Sequence, residues 1–204
     1  MELIGLNGER VRLVPPDRSL HLEIALLWMN DPEVTATIEM NLGATRKQEE
    51  AFFDRVEARS DADMFWALLA EDERHIGFID LHEVSLRHRS AIGGLLIGDR
   101  SAWGKGYASE AVGVRTRFAF DQMGLHRLEG HTICPAMRRV YEKCGYRHEG
   151  TWREKIWRGG RWHDASLYAI LESDYAKTAA TSRSIPGSTA ETTRSPIPNS
   201  PEGR

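Results

Sequence analysis

The chain of 204 residues has two cysteines, no surplus of basic charge and no long apolar run, and each shortage closes off a class of function. Cys134 and Cys144 stand at a spacing that matches no metal pattern, so they read as free buried thiols, not as zinc ligands or a disulfide. Lys and Arg number 27 against 30 Asp and Glu, a formal net charge of −3, which leaves no electrostatic footprint for direct nucleic-acid binding. No apolar stretch reaches the roughly 18 residues of a membrane span, and the first ten residues lack the charged-then-apolar order of a signal peptide. A cytoplasmic protein with no membrane partner is expected. The composition that remains, 41% hydrophobic and 28% charged, suffices for one core.

The C-terminal stretch is short of core-forming residues. From residue 177 to Arg204 there is no aromatic side chain, Ser and Thr are dense, and half of the chain's 8 prolines are found there. Such a segment cannot bury enough surface to offset its ordering entropy. The expected organisation is a single domain over 1–176 and a disordered tail over 177–204.

Within the domain, Glu9 to Val14 alternates polar and apolar residues as a half-buried strand does, and Pro15-Pro16 ends it. Asp17 or Ser19 then caps a helix with Leu22, Ala25, Leu26 and Met29 on one face, closed by Asn30-Asp31-Pro32. Thr45-Arg46-Lys47-Gln48 has capping-box spacing and opens a second helix. Met64–Ala70 and His75–Val84 read as a hairpin, and Ser90–Ile97, with no internal charge, as a central strand buried on both faces. A helix from Tyr107 stops at Gly124, a strand spans Arg127–Cys134, and a short helix over Met137–Lys143 ends at Gly145. Glu149–Trp157 then pairs with Trp162–Leu171. The expected class is α/β (α+β), a mixed central sheet covered by helices.

The stretch around which these elements are organised is Ser101-Ala102-Trp103-Gly104-Lys105-Gly106-Tyr107-Ala108-Ser109-Glu110-Ala111, between the Ser90–Ile97 strand and the next helix. Two glycines at the mouth of a helix let the backbone approach a ligand, and the free N–H groups of the first turn favour an anion, most often phosphate. An ordinary strand-to-helix turn that uses glycine for geometry alone explains the same residues. Gly104-Lys105-Gly106 lacks the Ser or Thr and the longer glycine spacing of a P-loop, which makes a nucleotide-phosphate site the weakest reading.

This turn, its helix and the later Arg138-Arg139-Val140-Tyr141-Glu142-Lys143-Cys144-Gly145-Tyr146 together resemble the two CoA-site motifs of the GNAT superfamily of N-acetyltransferases. Trp103 to Ala111 is especially similar to the RimJ/RimL-type branch, and the likeness spans Glu9 to Tyr175. It implies helices on both faces of the sheet and a splay between the strands ending at Ile97 and Cys134, with acetyl-CoA wedged into it and no metal. The implied reaction is acetyl transfer to a primary amine, of a protein N-terminus or a small molecule, by direct attack in a ternary complex. Under this resemblance Leu95, Leu96 and Ile97 run along the pantetheine arm. The backbone of Trp103, Gly104, Lys105, Gly106, Tyr107 and Ala108 cradles the pyrophosphate, and Arg100 and Lys105 either add charge there or remain solvated.

Tyr141 stands where many members of the superfamily carry the tyrosine that protonates the leaving sulfur; a core tyrosine is the alternative. Two departures from the pattern are visible. The glutamate many relatives carry near the start of the strand before the glycine turn is Ile92 here. This leaves Glu83, with His82, as substitute bases or as an exposed loop pair. The loop after Pro135 is too short for the asparagine that binds the pantetheine arm, which admits a second reading, a CoA-binding or partner-binding protein with little transfer activity. Trp28, Glu39, Phe65, Glu83, Trp157, Trp162 and His163 are candidates for an acceptor wall or for ordinary packing, and the tryptophan-bearing hairpin is a candidate homodimer contact.

Overall fold

The computed structural model describes residues 6–39, 43–58 and 62–183. Among them the strands are β1 (Leu6–Asn7), β2 (Val11–Val14), β3 (Met64–Ala70), β4 (His75–Ser85), β5 (Ser90–Ile97), β6 (Arg127–Thr132), β7 (Arg147–Arg158) and β8 (Arg161–Leu171). The helices are α1 (Arg18–Met29), α2 (Pro32–Thr35), α3 (Arg46–Glu57), α4 (Tyr107–Asp121), α5 (Pro135–Lys143) and α6 (Glu172–Arg183). The strands form one sheet in the order β1-β2-β3-β4-β5-β6-β8-β7. Neighbours pair antiparallel except β5 and β6, whose parallel pairing needs α4 as the crossover.

Alternation along β4 sends its side chains to two helical layers. Phe78 joins Leu22, Ala25, Phe52 and Phe53 under α1 and α3. Ile79 and Leu81 join Ala111, Val112 and Val114 of α4 in the main core. Helices therefore cover both faces, as expected.

The parallel ladder is short. Ser90, Ala91 and Ile92 pair with Arg127, Leu128 and Glu129, and from Gly93 onward β5 and β6 have no pairing although both continue. This is the expected splay, and it corrects the expectation that β5 is buried on both faces. Ala91 and Gly93 are buried, while Gly94 to Ile97 are partly exposed because their neighbour strand has moved away.

Glycines stop the elements where they were expected to. Gly124 after α4 and Gly145 after α5 take positive φ (64° and 83°), and the β7–β8 hairpin turns on Gly159 and Gly160 at 57° and 75°. Asn30-Asp31-Pro32 closes α1 and at once starts another helix, because Asp31 caps α2 with Pro32 in its first turn. The boundary expected at residue 176 falls inside α6, which continues to Arg183. Tyr175 anchors it by stacking on Phe120 at 5.0 Å and donating to Asp121 at 2.9 Å. The rest of the expected tail, 184–204, lies outside the described residues.

Candidate active site

The glycine turn leaves β5 through a short 3-10 turn, Arg100–Ala102, capped by Asp99. Gly104 and Gly106 then take φ of 74° and 90°, conformations that cost a residue with a Cβ. Helix α4 starts from Gly106 with no side-chain cap, so its first N–H groups face outward with the positive end of the dipole behind them. Helix α5 also starts without one, at Cys134. By contrast Asp17, Asp31 and Thr45 cap α1, α2 and α3, the last through a complete capping box.

Both bare helix starts line one cavity of ≈ 360 Å³, together with Leu95, Leu96, Ile97, Trp103 and Gly104. The Trp103 indole N–H donates to the Ile97 carbonyl at 2.9 Å, and its ring stays 44% exposed at the rim. Arg10 fixes the turn from the far side. Its Nη1 donates to the Lys105 carbonyl at 3.0 Å, and its own backbone N–H donates to Glu110 at 2.6 Å.

A second cavity of ≈ 420 Å³ adjoins the first and shares Leu95, Leu96, Thr132 and Met137 with it. Tyr141 lines it from α5 with 2% exposure, its hydroxyl donating to the Gly93 carbonyl at 3.4 Å. That hydroxyl leaves no space for a side chain at Gly130 on β6. Burial pushes the Tyr141 pKa up to about 12, so it holds its proton at neutral pH. Across the cavity, His82 Nδ1 lies 2.6 Å from Asp80 Oδ1, and that bond raises the His82 pKa above its ordinary value. Asp80 is held in turn by the Gly94 N–H at 3.0 Å. The fully buried guanidinium of Arg115 donates to the Gly94 carbonyl at 2.8 Å and the Asp80 carbonyl at 3.3 Å, bracing β4 against β5 at the splay.

The structure brings together Leu95, Leu96, Ile97, Trp103, Gly104, Gly106, Tyr107 and Ala108 around the first cavity and Tyr141 at the second. It leaves three expected residues apart. Lys105 is exposed and outside the cavity lining, contributing its carbonyl to Arg10. Arg100 turns to α2, with Glu33 at 2.5 Å and Asp31 at 3.8 Å. Glu83 sits exposed at the irregularity in β4 with φ of 51°, outside the lining of either cavity, so the carboxylate of this strand that lines the second cavity is Asp80. Strand alternation was the signal that pairs Asp80 with His82 on one face. Nothing in the local sequence marks Arg10 or Arg115, whose partners are distant in the chain.

Of the candidate acceptor-wall residues, Glu39 and Phe65 line the second cavity. Trp28 is buried against Gly98 and His75, Trp157 and Trp162 are exposed on the hairpin, and His163 bonds the Arg158 carbonyl. Cys134 and Cys144 are free but half-buried, and Cys144, bonded to the Ser109 carbonyl, has its pKa pushed up to about 11 by burial. No helix among the described residues is long and apolar enough to cross a membrane.

This donor set fits a CoA thioester. Two uncapped helix starts and an open glycine turn suit its phosphates, and the edge of β5 beyond Ile92 suits the amides of its arm. Residues 10–147 match the acetyltransferase (GNAT) domain model. The chain is 32% identical over 134 residues, 63% of its length, to the probable N-acetyltransferase YjcK of Bacillus subtilis, covering 72% of that protein. It is 31% identical over 102 residues to the spermidine N(1)-acetyltransferase of Vibrio cholerae, 49% of this chain and 58% of that one. A crystal structure of the Vibrio cholerae spermidine N-acetyltransferase with CoA and spermine superposes with a TM-score of 0.76 at 22% identity, over 83% of this chain and 99% of that one. The chain belongs to the GNAT acetyltransferase family and is an acyl-CoA-dependent N-acetyltransferase.

Proposed function

We propose that the chain acetylates a primary amine by direct attack in a ternary complex. Acetyl-CoA lies along Leu95, Leu96, Ile97 and the turn from Trp103 to Ala108, and the amine enters the larger cavity. The observation that carries this reading is the meeting of two cavities where β6 leaves β5, along Leu95, Leu96, Thr132 and Met137, with Tyr141 in the wall of the larger one. When bound, acetyl-CoA supplies an acyl group on a thioester. A backbone N–H of β5 beyond Ile92 steadies the thioester oxygen as negative charge develops there.

The amine must be neutral to attack, and the leaving sulfur must regain a proton. Tyr141, protonated and buried, is the donor to that sulfur. His82 receives the amine proton: Asp80 occupies its Nδ1, which leaves Nε2 for the cavity, and the carboxylate stabilises the imidazolium that forms. Asp80→Asn removes that support, so the pH at which kcat/KM rises is expected to fall. An unmoved profile removes His82 from the reaction.

The Trp103–Ala111 motif supports a RimJ/RimL-type member, and the spermidine-acetylating relative supports a small amine acceptor. Trp152, Trp157 and Trp162, exposed on the β7–β8 hairpin, support a homodimer contact. We propose a single acetyltransferase domain that closes with α6, past the boundary expected at residue 176, in a cytoplasmic protein. Pro135, after which a short loop was expected, is the first residue of α5, so the link from β6 is only Ile133-Cys134; its shortness favours a second reading, CoA binding with little transfer. Free thiol released from acetyl-CoA across a panel of amines separates the two. Amine-dependent release is expected, and CoA binding without it in every case would sink the enzyme reading.

A further inference from the structure

The acceptor cavity holds two carboxylates that the reaction above does not use, and one of them has no partner among the described residues. Its acidic lining residues are Glu39, Glu49 and Asp80, and its histidines are His82 and His131; neither Lys nor Arg lines it among the described residues. Each histidine is taken by one acid, His82 by Asp80 at 2.6 Å and His131 by Glu39 at 2.5 Å. Glu49 is left over. It is 7% exposed, on the cavity side of α3, and none of its contacts among the described residues is a hydrogen bond or ion pair to its carboxylate.

A glutamate in the first turn of a helix gains from the dipole while it remains in water, but burying it without a partner costs more than the dipole returns. Burial alone raises its pKa, as expected for a carboxyl group that lacks a counter-charge. Its surroundings are apolar. Phe52, one helical turn further along α3, meets Phe65 at 5.3 Å and Phe78 at 6.4 Å, and all three rings line the cavity. Such walls suit methylene groups, and their faces attract a cation. They offer little to the amides of a peptide, which would be buried without partners.

We propose that Glu49 binds a second positive charge on the acceptor, so that the preferred substrate is a small aliphatic diamine or polyamine that reacts at one end and is anchored at the other. This rests on the acetyl-transfer reading of the same cavity. Its test is binding of putrescine, cadaverine and spermidine against n-butylamine to the full-length chain loaded with CoA, by calorimetry, with acetyl transfer measured in parallel. At least one of the diamines or spermidine is expected to bind about tenfold or more tightly than n-butylamine, and Glu49→Gln to abolish the advantage while Glu49→Asp retains part of it. A thermal melt confirms that both variants are folded.

An advantage that survives Glu49→Gln overturns the proposal. So does n-butylamine binding as well as every diamine, or a peptide N-terminal amine binding better than all of them. Preferential binding that Glu49→Gln abolishes, without acetyl transfer, upholds the anchor and rejects the enzyme reading, so the two fail separately.

Discussion

Helices α1, α2 and α3 begin under a side-chain oxygen, from Asp17, Asp31 and Thr45, whereas α4 and α5 begin at Gly106 and Cys134 with none. A side-chain cap stabilises a helix by about 1 kcal/mol. The two helices that do without it open onto the same cavity, and the three that keep it do not depend on a ligand to complete their first turns. The caps make the starts of α1, α2 and α3 self-sufficient, even where their later residues, such as Glu49 of α3, face a cavity. On our proposal the bare starts of α4 and α5 leave their donors to acetyl-CoA, in keeping with the anion preference of a helix N-terminus.

The first way to sharpen that division is to separate binding from chemistry on α5. Tyr141→Phe keeps the ring and its packing on Tyr168 but removes the proton, so kcat should fall by about 100-fold or more while CoA affinity changes little. Steady-state rates with calorimetric CoA titration check it, and unchanged turnover removes Tyr141 from the chemistry. Next, Gly106→Asp gives α4 a carboxylate at its start, in a backbone conformation at φ of 90°. CoA affinity should fall by about 100-fold, because a fixed negative charge then occupies the space meant for phosphate. Equal affinity would break the comparison.

On the capped side the expected effects are on stability. His75 packs against Trp28 and His21 beneath α1, and burial pushes its pKa down to about 3. The unfolded chain takes up that proton near pH 6.5 and the folded one only near 3. Stability is therefore full above 6.5 and falls as pH drops through this window, by up to about 1.4 kcal/mol per pH unit for this one group. Melting curves of the protein and of His75→Gln against pH measure the slope, and equal slopes would discharge His75. Smallest is Asp17→Ala, which should cost about 1 kcal/mol of stability in denaturant titration and leave CoA binding as it was. Any loss of CoA affinity there would blur the line between the two sets of helices.

The sequence shows this division unevenly. The Thr45 capping box, the Ser90–Ile97 strand and the glycine turn are local patterns, and each appears where its spacing places it. The splay was legible only through the family resemblance, since nothing in Ser90–Ile97 records that its neighbour strand turns away after Ile92. For the same reason the partial exposure of Leu95, Leu96 and Ile97 was not. Arg100 looked like a phosphate ligand because its competing partners, Asp31 and Glu33, belong to a short helix that the sequence presents as a stop. Asp80 and Glu49 were passed over because the folded arrangement, not a motif, sets their surroundings: Asp80 holds a histidine two residues along its strand, and Glu49 is buried without a partner among the described residues only once the cavity is assembled.

Residue-resolved amide hydrogen exchange with and without CoA tests most directly whether the bare helix starts are the ligand's donors. CoA is expected to slow exchange at Tyr107, Ala108 and Ser109 and to leave the side-chain-capped starts of α1 and α3 as they were. Exchange at the start of α4 that proceeds as fast with saturating CoA as without it would mean that these N–H groups do not hold the ligand.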